Sequence, residues 1–112
     1  MLKRRLNHVA PPPAECPLTL CLRYLRGAWT ANILWYLSHQ PRRFMELKAD
    51  LAGISAKVLT QRLSRLVNDG LIVRKLLATS PPSVEYELSD LGVELQPALQ
   101  ALVAVGHKLK RR

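Results

Sequence analysis

The fold is decided by the stretch RRFMELKADLAGISAKVLTQRLSRLVND, which is Arg42–Asp69. Within it we predict a helix from Ser55 to Asn68. Gly53 permits a sharp turn before this helix, and the Ser55 side chain can cap its first free backbone N–H groups. Leucines recur at helical spacing along one face, which predicts a buried stripe. The stripe consists of Leu59, Leu63 and Leu66.

The opposite face of this helix is polar and carries no carboxylate. It consists of Lys57, Thr60, Gln61, Ser64, Arg65 and Asn68. Just upstream, residues 43–51 predict a shorter helix with Phe44, Leu47 and Leu51 on one side. Two helices joined by a tight glycine-containing turn, the second polar and basic outside, are typical of a helix-turn-helix motif with a recognition helix. The alternative is an ordinary solvent-facing helix in an all-α domain.

Length and composition fit one globular domain. The chain has 112 residues, of which 48% are hydrophobic and 22% charged, as is typical of a soluble protein. No apolar run approaches the roughly 18–20 residues that span a membrane. No apolar segment follows the N-terminal cations, so a secretory signal is not expected. Two cysteines do not suggest a disulfide framework, and we expect a cytoplasmic protein.

The net charge of +9 points to a polyanionic partner. The stretch from Arg42 to Lys75 alone holds eight cations against three acids, so the folded middle of the chain is itself basic. Nucleic acid is the commonest partner of such a surface, and we expect double-stranded DNA. A membrane surface fits less well, because no basic amphipathic helix with an exposed apolar face is visible.

The residues before the central stretch predict an arm and two helices. Residues 1–15 are basic and proline-rich and predict a flexible arm, which either contacts DNA phosphates or is simply a disordered tail. Proline is favoured in the first turn of a helix, so Pro17 predicts a helix start, and Arg26-Gly27 ends that helix. A second helix is expected from about Ala28 to Ser38.

The residues after it predict a β-hairpin and a long helix. Leu71–Leu77 and the alternating Ser83–Leu88 form two strands, the wing of a winged-helix domain. Ser89 caps a last helix, roughly Asp90–Leu109, kinked at Pro97. The predicted fold is therefore mostly α, a winged helix-turn-helix over residues 16–109 with a two-stranded β-wing, N- and C-terminal dimerisation helices and a basic tail at 110–112.

The terminal helices are more apolar than one small core requires, so dimerisation is the economical explanation. We expect the chain to be a homodimer. The candidate interface residues are Leu18, Leu22, Leu95, Leu99, Leu102 and Leu109.

Two groups of residues are candidates for DNA contact. Those on the recognition helix reach base edges, and those around it bind phosphates. The base-edge candidates are Ser55, Lys57, Thr60, Gln61, Ser64 and Arg65. The phosphate candidates are Arg42, Arg43, Lys48, Arg74 and Lys75.

Nothing in the sequence indicates catalysis. The three histidines and two cysteines do not have metal-ligand spacing, and no nucleophile–base pair or phosphate-binding glycine loop is visible. We therefore expect no enzyme activity, no metal and no cofactor. Cys16 is a redox-sensing candidate, because a thiol at a helix N-terminus has a lowered pKa. The alternative is a small, partly buried residue without chemical consequence.

The chain resembles the HxlR-type regulators, which are similar to MarR-like winged-helix proteins. Matching motifs occur in order from Cys16 to Gly106. They are Cys16-Pro17, Gly27-x-Trp29, Ile33-Leu34, Arg43-Phe44-x-Glu46-Leu47, Gly53-Ile54-Ser55-x-Lys57-x-Leu59-Thr60, Leu63, Leu66, Asp69-Gly70-Leu71, Pro82-x-Val84-Glu85-Tyr86-x-Leu88 and Leu91-Gly92-x-x-Leu95.

The resemblance implies a small bacterial transcription regulator that dimerises through its first and last helices and binds operator DNA. It also implies that Cys16 can sense a small electrophile or an oxidant. We therefore predict a sequence-specific homodimer on a palindromic operator. The alternatives are a nucleoid-type DNA binder without sequence preference and a winged-helix module that binds other proteins.

Overall fold

The structure, a computed structural model, describes residues 16–112, so the predicted arm at 1–15 lies outside the described residues. The elements in chain order are α1 (Pro17–Leu25), α2 (Thr30–Leu37), β1 (Arg42–Arg43), α3 (Phe44–Asp50), α4 (Ala56–Asn68), β2 (Ile72–Leu77), β3 (Ser83–Leu88), α5 (Asp90–Glu94) and α6 (Gln96–Lys110). This is a mostly helical winged-helix fold, as the sequence predicts.

The helix-turn-helix motif consists of α3, a short turn and α4. Gly53 lies in this turn with φ of 102°, a left-handed conformation that glycine adopts without a steric penalty. Ser55 is the N-cap of α4, and its hydroxyl accepts a 3.1 Å hydrogen bond from the Val58 backbone N–H. Both features were predicted, and they fix where α4 begins.

The core lies between α2, the helix-turn-helix motif and the sheet, and the predicted leucine stripe of α4 is buried in it. It also receives Leu99 from α6. The buried apolar residues are Ile33, Leu34, Leu37, Leu47, Leu51, Ile54, Leu59, Leu63, Leu66, Leu71, Ile72 and Leu99.

The predicted two-stranded wing is the antiparallel β2–β3 hairpin, and the sheet gains a third strand that was not predicted, in the order β1-β3-β2. The short β1 pairs with β3, with Arg42 opposite Tyr86 and Arg43 opposite Glu85. Strand β3 is therefore central. All six of its residues are half-buried, so β3 does not show the predicted alternation of buried and exposed side chains.

The second helix begins two residues later than predicted. Trp29 has φ of 78°, which is outside the range of an α-helix, so α2 begins at Thr30. The Trp29 side chain packs against the core. A Cβ placed on Gly53 would lie 4.0 Å from Cη2 of the Trp29 ring, so this ring reaches the turn between α3 and α4.

The predicted C-terminal helix is divided in two. A break at Leu95 separates α5 from α6, and Pro97 lies in the first turn of α6, where its missing N–H costs no helical hydrogen bond. Ser89 caps α5 as predicted, accepting a 3.0 Å hydrogen bond from the Gly92 N–H. Helix α6 runs to Lys110, so the first residue of the predicted tail is helical.

The outer faces of the terminal helices remain apolar and exposed. Helix α1 has no buried residue. Of the candidate interface residues, Leu18, Leu22, Leu102 and Leu109 have more than half of their surface exposed. Leu95 and Leu99 differ, because Leu95 packs against the core and Leu99 is only 4% exposed within it. Placing Leu99 at a dimer surface was therefore wrong.

No helix within residues 16–112 combines the length and the apolar character needed to cross a membrane.

Candidate nucleic-acid interface

The exposed face of α4 is the candidate surface for reading DNA bases. Four of the predicted side chains lie exposed on it, and Ser55 is exposed at its N-cap. The four are Lys57, Thr60, Gln61 and Ser64. Together they present one cation, one amide and two hydroxyls, which can all hydrogen-bond to base edges or phosphates. Because the leucine stripe is buried behind them, α4 can expose only this face.

Arg65 departs from the prediction that it lies on the outward face. It is half-buried, and its Nη2 donates hydrogen bonds to the carbonyl of Arg26 and, at 2.7 Å, to the hydroxyl of Thr30. Its side chain is therefore directed towards the loop between α1 and α2. In this conformation Arg65 is not available as a base-edge contact.

Arg62 is a residue that the sequence analysis did not single out. Its Nε donates a 2.9 Å hydrogen bond to the carbonyl of Ala28, in the same loop. No sequence signal could have identified this contact, since its partner is a backbone carbonyl 34 positions away along the chain.

The sheet places four of the five phosphate candidates in two pairs, one pair on each of its faces. On the two sides of β3, Arg42 and Arg74 lie opposite Tyr86, and Arg43 and Lys75 lie opposite Glu85. Directly opposed positions have side chains on the same face, whereas successive residues of a strand face opposite sides. Arg42 and Arg74 therefore flank Tyr86 on one face, and Arg43 and Lys75 flank Glu85 on the other. Lys48, the fifth candidate, lies half-buried on α3.

Two of these cations already have carboxylate partners. Arg42 makes a two-point contact with Asp50, and Lys75 forms an ion pair with Glu87. The hydrogen bond and charge of Glu87 raise the pKa of Lys75 above its ordinary value. Arg43 and Arg74 are exposed. The two exposed arginines are therefore the stronger phosphate candidates.

Cys16 lies at the N-cap of α1 and is half-buried. The backbone N–H groups of Thr19 and then of Leu18, at the start of α1, lower the pKa of the Cys16 thiol, with a further contribution from the Thr19 side chain. The thiolate is therefore favoured, as the sequence predicts from the helix start. Among residues 16–112, no three His, Cys, Asp or Glu side chains are grouped so as to hold a metal ion.

A buried leucine stripe, a polar exposed helix face and a flanking antiparallel sheet define a winged helix-turn-helix DNA-binding protein. The family model described as HxlR-like helix-turn-helix matches residues 24–112. The chain therefore belongs to the HxlR-like family, and it is a transcriptional regulator of the HxlR/MarR type.

Individual relatives agree with this assignment. The HTH-type transcriptional regulator YtcD of Bacillus subtilis (strain 168) is 42% identical over 85 residues, which cover 76% of this chain and 68% of YtcD. A solved structure from Porphyromonas gingivalis W83, assigned to the MarR family of transcriptional regulators, is 32% identical with a TM-score of 0.79, covering 93% of this chain and 97% of that one.

A third structure, the redox regulator HypR in its oxidized form, is 28% identical. Its TM-score is 0.79, and the match covers 83% of this chain and 96% of HypR.

Proposed function

We propose that the chain is a cytoplasmic homodimer that binds a palindromic operator, with the first two turns of α4 in the major groove. The observation that carries this proposal is the exposed, carboxylate-free face of α4, on which Lys57, Thr60, Gln61 and Ser64 lie together. Residues near the start of a recognition helix contact base edges most closely. Gln61 can donate to and accept from an adenine edge, a contact worth about 1–3 kcal/mol of discrimination.

In this proposal Arg43, Arg74 and Lys48 hold the phosphate backbone. Arg42 and Lys75 contribute less, because Asp50 and Glu87 already compensate their charges. A two-fold axis would place the two recognition helices in successive major grooves, about 34 Å apart. The exposed leucines of α1 and α6 supply the apolar surface that such a dimer would bury.

The test begins by selecting the genomic fragments that the protein retains and sequencing them. The dissociation constant of the recovered operator is then compared with that of a random duplex of equal length. Gln61→Ala should weaken operator binding about tenfold and leave random-duplex binding unchanged. Arg43→Ala should weaken both alike, because phosphates carry no sequence information.

The alternatives predict other results. A nucleoid-type binder would retain fragments without a common sequence and would show a steep salt dependence on every duplex. A protein-interaction module would retain no duplex at all. Identical behaviour of the Gln61 and Arg43 variants would contradict the division into base-reading and phosphate-binding residues.

A redox response through Cys16 is a second part of the proposal. Two observations support it: the lowered pKa of the Cys16 thiol and the structural similarity to HypR, which is itself a redox regulator. The effector would be a small electrophile, to whose carbon the thiolate adds, or an oxidant that accepts two electrons and two protons as two thiols form a disulfide. A Cys16→Ser protein whose operator affinity still changed with diamide or a quinone would contradict this role.

A further inference from the structure

The loop between α1 and α2 is bonded directly to the recognition helix. It consists of residues 26–29, and we name it the α1–α2 loop. Arg62 on α4 donates to the Ala28 carbonyl at 2.9 Å, and Arg65 on α4 donates to the Arg26 carbonyl. Two successive turns of α4 are thus attached to one short segment.

Thr30 completes this arrangement from the first turn of α2. Its hydroxyl accepts the 2.7 Å hydrogen bond from Arg65 and donates at 2.8 Å to the Arg26 carbonyl. Thr30 is fully buried, with 0% of its surface exposed. A contact with DNA is therefore excluded for Thr30, although it is bonded to a residue of the recognition helix.

The loop backbone is shaped for this contact. Gly27 has φ of 94° and Trp29 has φ of 78°, and both values lie in the left-handed region. A Cβ on Gly27 would lie 3.3 Å from Arg62 Nε and 3.3 Å from Arg65 Nη2. Glycine at this position lets both guanidinium groups approach the backbone closely.

The burial of Arg65 is further evidence for a structural contact. Its Nε is buried and has no hydrogen-bond partner among the described residues, which is unfavourable for a polar group. Its Nη2 bonds to Arg26 and Thr30 offset this penalty. An arginine that served only to contact phosphate would gain nothing from this burial, since DNA would have to displace these bonds first.

We propose that Arg62 and Arg65 are positioning residues, which fix the orientation of α4 on the α1–α2 loop rather than contact DNA themselves. The inference rests on the proposed function, in which α4 enters the major groove. The loop is also the covalent connection to α1, which carries the exposed leucines and follows Cys16. These two arginines therefore link the recognition helix to the surface that we propose for dimerisation.

The test compares variants that separate charge from geometry. Arg65→Lys keeps a cation that can bind phosphate but loses the planar group that reaches two acceptors. Thr30→Val removes the buried hydroxyl, and Thr30→Ser restores it. Arg111→Lys is the matched control, because Arg111 is exposed at the C-cap of α6 and is not part of the proposed DNA surface.

Operator dissociation constants are measured over a series of KCl concentrations. Arg65→Lys and Thr30→Val should each weaken binding about tenfold, with the salt slope of the unmodified protein. The double variant should be no weaker than either single variant, because both remove the same bond. Thr30→Ser and Arg111→Lys should bind within about twofold of the unmodified protein.

Other outcomes would overturn the proposal. Full affinity in Arg65→Lys would show that only its charge matters. A salt slope smaller by about 0.9 in an Arg65→Gln protein would show that Arg65 contacts a phosphate. If Thr30→Ser bound as weakly as Thr30→Val, the site would tolerate no substitution. Loss of the hydroxyl hydrogen bond would then not be the cause of the weaker operator binding.

A measurement without DNA separates this inference from the proposed function. Equal affinity of the unmodified protein for operator and random duplex would contradict the proposed function. Whether α4 is attached to the α1–α2 loop can then still be tested by measuring amide hydrogen exchange in the protein without DNA. Thr30→Val should speed exchange of the amides in residues 62–68 severalfold, and Thr30→Ser should not. Unchanged exchange in Thr30→Val would overturn the attachment itself.

Discussion

The guanidinium of Arg42 makes two hydrogen bonds with the carboxylate of Asp50, from Nε to Oδ2 and from Nη2 to Oδ1, each 3.0 Å long. Glu46 contributes a longer contact, with Oε2 3.9 Å from Arg42 Nη1. The hydrogen bond with Asp50 and the nearby negative charges raise the pKa of Arg42. This pairing connects β1 to the end of α3, and it leaves two adjacent arginines in different charge environments.

Arg42→Ala and Arg43→Ala should therefore differ in their effect on DNA binding. The charge of Arg42 is compensated by Asp50, whereas Arg43 is exposed. Arg43→Ala should reduce the slope of log affinity against log salt concentration by about 0.9, the value for one phosphate contact, and Arg42→Ala should leave it unchanged. Fluorescence anisotropy on a labelled duplex measures both slopes. Equal slopes in the two variants would show that the Asp50 pairing does not remove Arg42 from the interface.

The elements that could be predicted from the sequence are those with a local physical cause. The spacing of Leu59, Leu63 and Leu66 determines which face of α4 is buried. Ser55 and Ser89 begin helices because their hydroxyls accept backbone hydrogen bonds from residues only three positions away. Each of these signals depends only on residues a few positions apart, so it can be recognised in the sequence.

The features that could not be predicted depend on distant partners. A two-residue strand such as β1 has no periodicity and exists only because β3 provides the pairing edge. Arg65 has the helical spacing of an exposed residue, yet its acceptors lie 35 and 39 positions away. Leu99 belongs to an apolar stripe that faces both the core and solvent, and spacing alone does not say which residue lies on which side.

Gly92 should be the glycine at which substitution costs most stability. It is buried in α5, and a Cβ there would lie 2.1 Å from the carbonyl oxygen of Leu71, which itself accepts a hydrogen bond from the Ser89 N–H. Gly92→Ala should lower the free energy of unfolding by about 3 kcal/mol, since the backbone of α5 would have to move away from the Leu71 carbonyl.

Gly106→Ala is the matched control, because a Cβ at this position on α6 would have no atom within 4 Å among residues 16–112, apart from its chain neighbours and the backbone of its own helix. Alanine there should raise the free energy of unfolding by about 0.5–1 kcal/mol through helix propensity. Urea denaturation followed by circular dichroism measures both variants. If both changed stability equally, the close approach of α5 to Leu71 would not be the cause.

Leu102→Asp should disrupt the proposed dimer without unfolding the protein. The Leu102 side chain is 62% exposed on α6, so the monomer loses little when it is replaced. Burying an unpaired carboxylate in an apolar interface is costly, and the dimer dissociation constant should rise at least about a hundredfold. Sedimentation velocity over a range of concentrations measures this change.

Leu76→Asp provides the control, since Leu76 is 72% exposed but lies on β2, away from the terminal helices. It should leave the oligomeric state unchanged. Operator affinity should fall in the Leu102 variant as well, because two half-sites can then no longer be bound by one linked pair of recognition helices. A Leu102→Asp protein that remained dimeric at low concentration would exclude this face of α6 from the interface.

The reactivity of Cys16 should report its lowered pKa. In a Cys21→Ser background, where Cys16 is the remaining thiol, the rate of alkylation by iodoacetamide follows the thiolate fraction. Because the backbone N–H groups of Thr19 and Leu18 at the helix start stabilise the thiolate, the rate should reach its half-maximal value at a lower pH than for a free cysteine peptide. Thr19→Val removes only the side-chain contribution, so it should move that midpoint upward by a small amount while the two backbone contributions remain.

Unfolding the protein in urea should raise the midpoint to the value of the peptide, since the helix start that orients these N–H groups is then lost. A midpoint that was the same in folded and unfolded protein would show that α1 does not activate the thiol, and the redox role proposed for Cys16 would lose its physical basis.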